Sequence, residues 1–334
     1  MSKQNELVQF SRGASGGGSK NVIINGAMML SQRQTLSSNV GNKYVLDRFY
    51  VYKQNTGSTY TCSQNSVTDL AGFNNSLKMD CSTADTSLAS NEQVYIQTKL
   101  EGQDLQRFQK GHATALGFTL SFYVKTNKTG VYTVKMFDRD NTRDVSGSYT
   151  VADANWNRYT INFPADTTGK FDDDNASSLE IFFHLVQGSD TTGGTLNTAW
   201  RANSDASSAS GQVNFADSTS NDWEITGIQL EANDTATDFE HENYGTTLAK
   251  CQRYFWKQPM GAYGTFFCNY VNDYRFSHIW FPVGMRATPT STTTTSTAAT
   301  EYHPDPYHTK YYVAGHYSSG TSIYHTAFQA DAEL

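Results

Sequence analysis

Apolar and polar residues alternate with a period of two along much of the chain. Segment 118–125 has apolar residues at every even position, and segments 158–163 and 179–185 have them at every odd position. Successive side chains of a β-strand point to opposite faces of a sheet, so this alternation predicts strands with one buried face. Further strands are predicted over 44–52, 94–100, 131–137 and 223–230.

Turn-forming residues separate these strands, most densely at 141–147, 172–178 and 188–194. Successive strands are not separated by the helical patterns of about 10–15 residues that parallel βαβ units require. The pattern therefore predicts an all-β fold, an antiparallel jelly-roll β-sandwich.

The composition changes near residue 250, because five of the six prolines and ten of the 20 tyrosines follow it. We predict a flexible N-terminal arm over 1–20, a jelly-roll β-sandwich domain over 21–245 and a smaller β-rich C-terminal domain over 246–334. Apolar residues at helical spacing in 245–255, with threonines suited to capping, predict a short linking helix.

Composition and charge exclude several functions. The net charge of −7 disfavours binding to nucleic acid. Residues 1–10 lack the apolar core of a signal peptide, and the sequence has no apolar run long enough to span a membrane. Four widely separated cysteines form neither a zinc nor a redox motif. We predict no cofactor, no bound metal, no nucleic-acid partner, no membrane insertion and synthesis in a cytoplasm without export.

Candidate catalytic motifs have simpler explanations. Residues 13–17 match G-x-S-x-G, but glycines surround them where a hydrolase requires a strand and a helix. Residues 172–175 offer oxygen ligands for calcium without the glycine and glutamate of an EF-hand, which favours a solvated turn. Asp47 and Arg48 are predicted to fix a loop, and Trp156, Trp200 and Trp223 are predicted to pack in or against sheets. We predict no catalytic residue.

An aromatic cluster occupies 302–312. Such amphipathic rings suit an exposed recognition surface, so the candidate receptor-binding residues are Tyr302, His303, Tyr307, His308 and Tyr311. Packing between subunits, or filling of β-strands, would explain the same residues. His303 and His308 could also join His316 or Asp305 around a metal, although no regular spacing fixes them.

Eight motifs occur in order at 21–28, 31–35, 47–49, 223–231, 236–240, 251–255, 282–290 and 331–334. In this combination the chain, from about residue 21, resembles a widespread family of tailed-phage fibre or receptor-binding proteins. It departs from the family pattern at Gln34, where glycine is usual, and at Phe49, where tryptophan is usual.

This resemblance implies a jelly roll similar to carbohydrate-binding modules, a small β-rich C-terminal domain and a homo-oligomer, commonly a trimer. The arm would attach the protein to other virion proteins of the tail or capsid, with Leu7, Val8, Phe10 and Arg12 as candidate attachment residues. We therefore expect a non-enzymatic virion fibre protein that recognises a host cell-surface glycan or protein through multivalent binding.

Three alternatives remain open. The chain could be a purely structural tail or capsid decoration protein that binds other virion proteins through its arm. It could be a glycan-degrading spike, which would need two carboxylates held within about 5–10 Å of the scissile bond. It could also be a cellular sugar-binding module of similar fold.

Overall fold

A computed structural model of the chain describes residues 19–33, 41–258, 265–267, 275–295, 300–302, 305–313 and 322–334. The chain forms two compact units. The first comprises Met1–Met29, Thr35–Lys43 and Phe49–His241, and the second comprises Leu30–Gln34, Tyr44–Arg48 and Glu242–Leu334. The division into an arm, a sandwich domain and a C-terminal domain stays a prediction.

Two antiparallel sheets form the sandwich. The larger has the order β1-β2-β5-β10-β7-β8-β11, with β1 (Lys43–Leu46), β2 (Phe49–Gln54), β5 (Gln93–Glu101), β10 (Ser177–Gln187), β7 (Gly130–Asp138), β8 (Arg143–Val151) and β11 (Arg201–Ala202). The smaller has the order β3-β4-β12-β6-β9, with β3 (Thr59–Ser66), β4 (Asn75–Thr83), β12 (Asp222–Glu231), β6 (Phe118–Thr126) and β9 (Asn157–Phe163). The predicted all-β jelly-roll sandwich is confirmed. Two one-turn helices, α1 (Gly102–Leu105) and α2 (Ser189–Thr192), lie between strands.

The core lies between the two sheets and follows the predicted alternation. On β6 the even positions 118–124 are buried, and on β10 the odd positions 179–185 are buried. Phe122 of β6 meets Phe183 of β10 edge to face, with ring centroids 5.3 Å apart. Each such side chain contributes about 1.5–3 kcal/mol by leaving water, so this layer is a main source of stability.

The first motif of the chain pairs with β12. Asn21 donates from Nδ2 to the Ile228 carbonyl at 3.0 Å and accepts from the Leu230 N–H at 3.0 Å. A Cβ atom on Gly26 would lie 2.1 Å from the Ile228 carbonyl oxygen, so only glycine fits there. The motifs at 21–28 and 223–231 are therefore joined directly to each other in the first unit.

Several local predictions were wrong. Segment 44–52 is two strands, not one, because the chain turns at Asp47 and Arg48, where Arg48 has a φ of 73°. Much of the predicted turn 141–147 belongs to β8, and the predicted turn 188–194 contains α2. These segments are rich in small polar residues that also fit short strands and single helical turns.

The linking helix is confirmed as α3 (Tyr244–Gln252), but threonine does not cap it. Asn243 is the N-cap, and its Oδ1 accepts from the Thr246 N–H at 2.9 Å. Asparagine caps at least as well as threonine, and the threonines lie inside the first turn.

The described part of the second unit contains two small sheets. In one, the central strand β19 (Ser322–Asp331) pairs with β13 (Phe255–Lys257), β14 (Thr265–Phe267) and β16 (Thr290–Thr295). In the other, β18 (His308–Val313) lies between β15 (Arg275–Trp280) and β17 (Thr300–Tyr302). The described hydrophobic core of the second unit consists of Phe281, Met285, Phe328, Ala330 and Ala332, with Trp256 packed against it.

Two arginines organise the second unit. Arg33 donates to Asp331 and Glu333, each at 3.0 Å. Arg48 is 2% exposed, pairs with Glu333, and lies 3.5 Å above the ring centre of Tyr254. We name Arg33, Arg48, Asp331 and Glu333 the arginine cluster.

Gln32 extends the arginine cluster to Asp47. The Gln32 N–H donates to Asp47 Oδ2 at 2.6 Å, and the Gln32 amide donates to Asp47 Oδ1 at 2.8 Å. The same amide also donates to the Phe255 carbonyl at 2.8 Å. Asp47 and Arg48 thus act as structural, loop-fixing residues, in agreement with the sequence analysis.

A buried lysine organises the first unit. The ammonium group of Lys110 lies 2.5 Å from Asp138 and 3.1 Å from Asp166, and it donates to the carbonyls of Thr168 and Gly169 at 3.0 and 2.8 Å. The side chains of Lys110 and Asp138 are fully excluded from solvent. We name Lys110, Asp138 and Asp166 the lysine cluster.

Candidate functional site

The outer face of the larger sheet carries a groove across β2, β5, β10 and β7. Strand pairing places outward-facing residues in three rows, Tyr52–Tyr95–His184, Tyr50–Gln97–Phe182–Lys135 and Lys99–Glu180–Phe137. All of these except His184, together with Arg139, Asn203 and Asp205, line a groove with a volume of about 370 Å³. Three spacings between strands, of about 4.8 Å each, give it a width of about 14 Å. We name it the sheet groove.

Four partly exposed aromatic rings line the sheet groove: Tyr50, Tyr52, Tyr95 and Phe137. Tyr52 and Tyr95 are stacked, with centroids 4.6 Å apart and planes at 15°. Phe182 meets Tyr95 edge-on at 4.9 Å. Burial, with a smaller effect of the nearby Tyr52, raises the pKa of Tyr95, so its hydroxyl keeps the proton that it can donate.

A buried carboxylate fixes one end of the sheet groove. Glu180 is 3% exposed and accepts from Arg139 Nε at 2.8 Å and from Gln97 Nε2 at 2.9 Å, one bond to each of its oxygens. Lys99 lies 3.9 Å from the same oxygen that Arg139 contacts. We name Glu180, Gln97, Lys99 and Arg139 the Glu180 network.

The other end is fixed by Lys135. Its ammonium group donates to Asn203 at 3.0 Å and to Asp205 at 3.1 Å, and it lies 3.4 Å from Asp144. Arg201 donates to the second oxygen of Asp144 at 3.0 Å. These contacts hold the loop that carries Asn203 and Asp205 against the sheet.

His184 belongs to the first of the three rows and is buried. Its Nδ1 is 2.9 Å from the Thr133 hydroxyl, which also lies 2.9 Å from the side-chain oxygen of Gln212. Burial, with a smaller contribution from Lys135, lowers the pKa of His184 to about 3. The imidazole is therefore neutral at ordinary pH and serves as packing beneath the loop.

The sheet groove combines apolar faces with rigidly held donors and acceptors. Aromatic faces pack on the apolar faces of pyranose rings, and amide, ammonium and guanidinium groups hydrogen-bond hydroxyl oxygens. At about 14 Å across four strands, the groove is larger than one sugar ring and has room for several linked sugars. Its geometry suits an oligosaccharide.

The described residues contain no group of three or more His, Cys, Asp or Glu side chains that could hold a metal. In the acidic turn 172–175, the backbone N–H of Asp172 donates to Asp140, and Asp174 accepts from the Ala176 N–H. Across all the described residues, no helix has the length and hydropathy needed to cross a bilayer.

The candidate site residues predicted from the sequence either are not among the residues that line the sheet groove or lie outside the described residues. Leu7, Val8, Phe10, Arg12 and His303 lie outside the described residues, as do the side chains of Tyr302 in β17 and Tyr311 in β18. The roles predicted for all of these residues, and for Tyr307 and His308, stay predictions.

Tyr307 and His308 lie in a small exposed surface of the second unit. Tyr307 is 65% exposed, and His308 Nδ1 lies 2.9 Å from Asp305. The His308 ring stacks on Trp280, which is 66% exposed, with centroids 4.7 Å apart. The sequence analysis did not include Trp280, because strand pairing brings it to His308 across 28 positions of the chain.

The sequence analysis also missed every residue of the sheet groove. A signal was present, since Tyr50 and Tyr52 on β2 and Tyr95 and Gln97 on β5 alternate with buried apolar residues. Aromatic residues at outward positions of two strands mark an unusual sheet face. Which strands are neighbours, however, depends on the topology of the sandwich.

No protein-family model matches the chain, and no curated protein matches it at a significant level. The resemblance to phage fibre proteins therefore stays a prediction.

Several solved structures similar to the chain are carbohydrate-binding modules. One described as "CBM4 structure and function" has 12% identity and a TM-score of 0.34, over 64% of this chain and 99% of that one. A family 11 module from Clostridium thermocellum has 12% identity and a TM-score of 0.30, over 60% and 98%. A xylan-binding domain of family 22 has 10% identity and a TM-score of 0.31, over 63% and 99%. Because these identities and TM-scores are low, what the groove can bind has to be inferred from its own side chains alone.

Proposed function

We propose that the protein binds glycans without cleaving them and that the sheet groove holds an extended saccharide. The observation that carries the proposal is the set of four partly exposed aromatic rings beside rigidly held polar groups in one groove. Apolar rings alone would suit many ligands. Their combination with Gln97, Lys99 and Arg139 favours a ligand that has both apolar faces and many hydroxyl groups.

The engaged carboxylates support binding over cleavage. A glycosidase needs two carboxyl groups that can reach the substrate, one to donate a proton and one to attack or to activate water. Both oxygens of Glu180 accept hydrogen bonds from protein donors, and Asp205 accepts from Lys135. These carboxylates orient the cationic side chains of the groove.

The motif resemblance supports a more specific role, in which the chain is a phage virion fibre protein. In this role the arm attaches the protein to the tail or capsid, and several copies, in a homotrimer, bind a host cell-surface glycan. Because linked copies raise the effective concentration of one another, weak individual sites give firm attachment. The alternative role is a structural decoration protein whose arm binds other virion proteins.

Binding to an array of neutral and acidic glycans tests the proposal. We expect the wild-type protein to bind a subset, and we expect Tyr50→Ala and Phe137→Ala to weaken that binding about tenfold or more, as for central aromatic contacts. Tyr244→Ala is the matched control, since Tyr244 is 59% exposed on α3 and outside the groove. Its affinity should equal that of the wild type.

A further variant separates the two candidate surfaces. If Tyr307→Ala abolishes glycan binding while Tyr50→Ala and Phe137→Ala leave it intact, the C-terminal aromatic cluster is the site and the groove proposal is wrong. Incubation with a bound polysaccharide should leave its chain length unchanged. Shortened chains would identify an enzyme instead.

For the virion role, deletion of residues 1–20 should block incorporation into particles while leaving glycan binding unchanged. Normal incorporation of the deleted protein would contradict attachment through the arm.

A further inference from the structure

Arg139 lies at one end of the sheet groove with most of its guanidinium group unengaged. It follows directly after β7, and its backbone N–H donates to the Ser178 carbonyl at 2.9 Å. Its Nε donates to Glu180, while the side chain is 55% exposed. Within the described part of the chain this is the one hydrogen bond that the guanidinium makes, so both Nη groups are left for a ligand.

The contact with Glu180 fixes the direction of this guanidinium. Glu180 is itself held by Gln97 and is almost fully buried, so it cannot follow the arginine to other positions. A planar guanidinium held through Nε presents its two Nη groups side by side, which matches the two oxygens of a carboxylate or sulfate. The preorganised fork reduces the entropy that such a ligand would otherwise cost.

The charges at the two ends of the groove differ. At the Lys135 end, two cations, Lys135 and Arg201, face two carboxylates, Asp144 and Asp205. At the Arg139 end, the described ion pairs join two cations, Lys99 and Arg139, to one carboxylate, Glu180. Of these two cations Arg139 is the more exposed, with 55% of its side chain in contact with solvent against 20% for Lys99.

We propose that the Arg139 end of the sheet groove binds an anionic substituent of the glycan, the carboxylate of a uronic acid or a sulfate ester, so that the ligand class is an acidic polysaccharide. The inference rests on the proposed glycan binding and narrows it. The aromatic rings then hold the neighbouring sugar rings, and Arg139 selects the charged one.

The test uses pairs of probes that differ only in charge. Uronate-containing oligosaccharides are compared with their carboxyl-reduced counterparts, and sulfated oligosaccharides with their desulfated counterparts, on the same array and by calorimetry. We expect at least one acidic member to bind at least tenfold more tightly than its neutral counterpart. The two pairs separate the carboxylate from the sulfate ester.

Variants of Arg139 assign the preference to this residue. Arg139→Gln should lower the affinity for the acidic probe to that of its neutral counterpart and leave the neutral affinity unchanged. Arg139→Lys keeps the charge without the fork and should be intermediate. Lys125→Gln is the control, since it removes one positive charge from the smaller sheet, where Lys125 pairs with Asp69, and it should change neither affinity.

The outcomes are distinguishable. If glycans bind but acidic and neutral counterparts bind equally, or if the preference for acid survives in Arg139→Gln, the inference is wrong and the groove proposal stands. Equal weakening of both probes by Arg139→Gln also overturns it, since the arginine would then only support the groove. If no glycan binds the wild type, the proposed function fails.

Discussion

Asp138 and Arg139 are neighbours in the chain, yet they join two charge networks with different surroundings. Asp138 belongs to the lysine cluster, where its side chain and that of Lys110 are fully excluded from solvent. Arg139 belongs to the Glu180 network and is 55% exposed. Both networks join basic side chains to a buried carboxylate, so residue type does not distinguish them.

Burial of the cation decides what each network can do. The Lys110 ammonium has two carboxylates and two carbonyl oxygens around it, so all its donors are used within the protein. The Arg139 guanidinium makes its one described hydrogen bond through Nε, lies 6.0 Å from the ring centre of Phe137, and is otherwise open to solvent. The first network therefore stabilises the fold, whereas the second leaves an exposed cation, which we propose meets a ligand.

The largest effect is expected from Lys110→Met. The substitution keeps much of the side-chain volume but leaves Asp138 and Asp166 buried without the ammonium group. Breaking a buried ion pair in this way costs about 3–5 kcal/mol, which we expect as a loss in the free energy of unfolding by urea. Lys125→Met, at an exposed pair with Asp69, should cost about 1 kcal/mol or less. Similar losses in both variants would contradict the distinction between buried and exposed networks.

A loss of stability of intermediate size is expected when the pH is lowered, because of His184. Its folded-state pKa of about 3 lies below the ordinary value of 6.5, so the unfolded chain binds the proton more readily. The neutral imidazole therefore stabilises the fold fully above pH 6.5, and stability falls by about 1.4 kcal/mol per pH unit as the pH drops toward 3. By pH 4.5 the loss is about 2.5 kcal/mol.

Urea unfolding at a series of pH values measures this contribution. His184→Gln should flatten the profile between pH 6.5 and 4.5, whereas His112→Gln, at an exposed position, should not. An identical slope in His184→Gln and the wild type would show that other groups control the acid response.

The smallest effect on stability is expected from Arg139→Met. Because the guanidinium is 55% exposed and the buried Glu180 keeps Gln97 and Lys99 beside it, the free energy of unfolding should change by about 1 kcal/mol or less. Binding of acidic glycan should nevertheless fall. A stability loss equal to that of Lys110→Met would mean that Arg139, too, is mainly structural.

The sequence predicted the fold well where one face of a strand is apolar. The alternation at 118–125 gave β6 almost to the residue, and that at 179–185 gave the core of β10. It could not show that the other face of β10 is buried as well, since Glu180, Phe182 and His184 are covered by neighbouring strands and by the 203–212 segment. That burial depends on tertiary neighbours.

The candidate site was less predictable. Strands β2, β5, β10 and β7 are neighbours in the sheet but are separated by up to about 130 residues in the chain. Local patterns do not contain this order. The sequence analysis therefore favoured the dense aromatic run at 302–312, where the candidate residues are close in the chain itself.

The arginine cluster has a consequence for how the protein is made. Arg33 and Arg48 are synthesised early, but their carboxylate partners, Asp331 and Glu333, are about 300 residues later. These ion pairs of the second unit therefore cannot form until residue 333 has been synthesised and has left the ribosomal exit tunnel. A nonsense codon between Arg48 and Asp331 would leave both guanidinium groups without these acids.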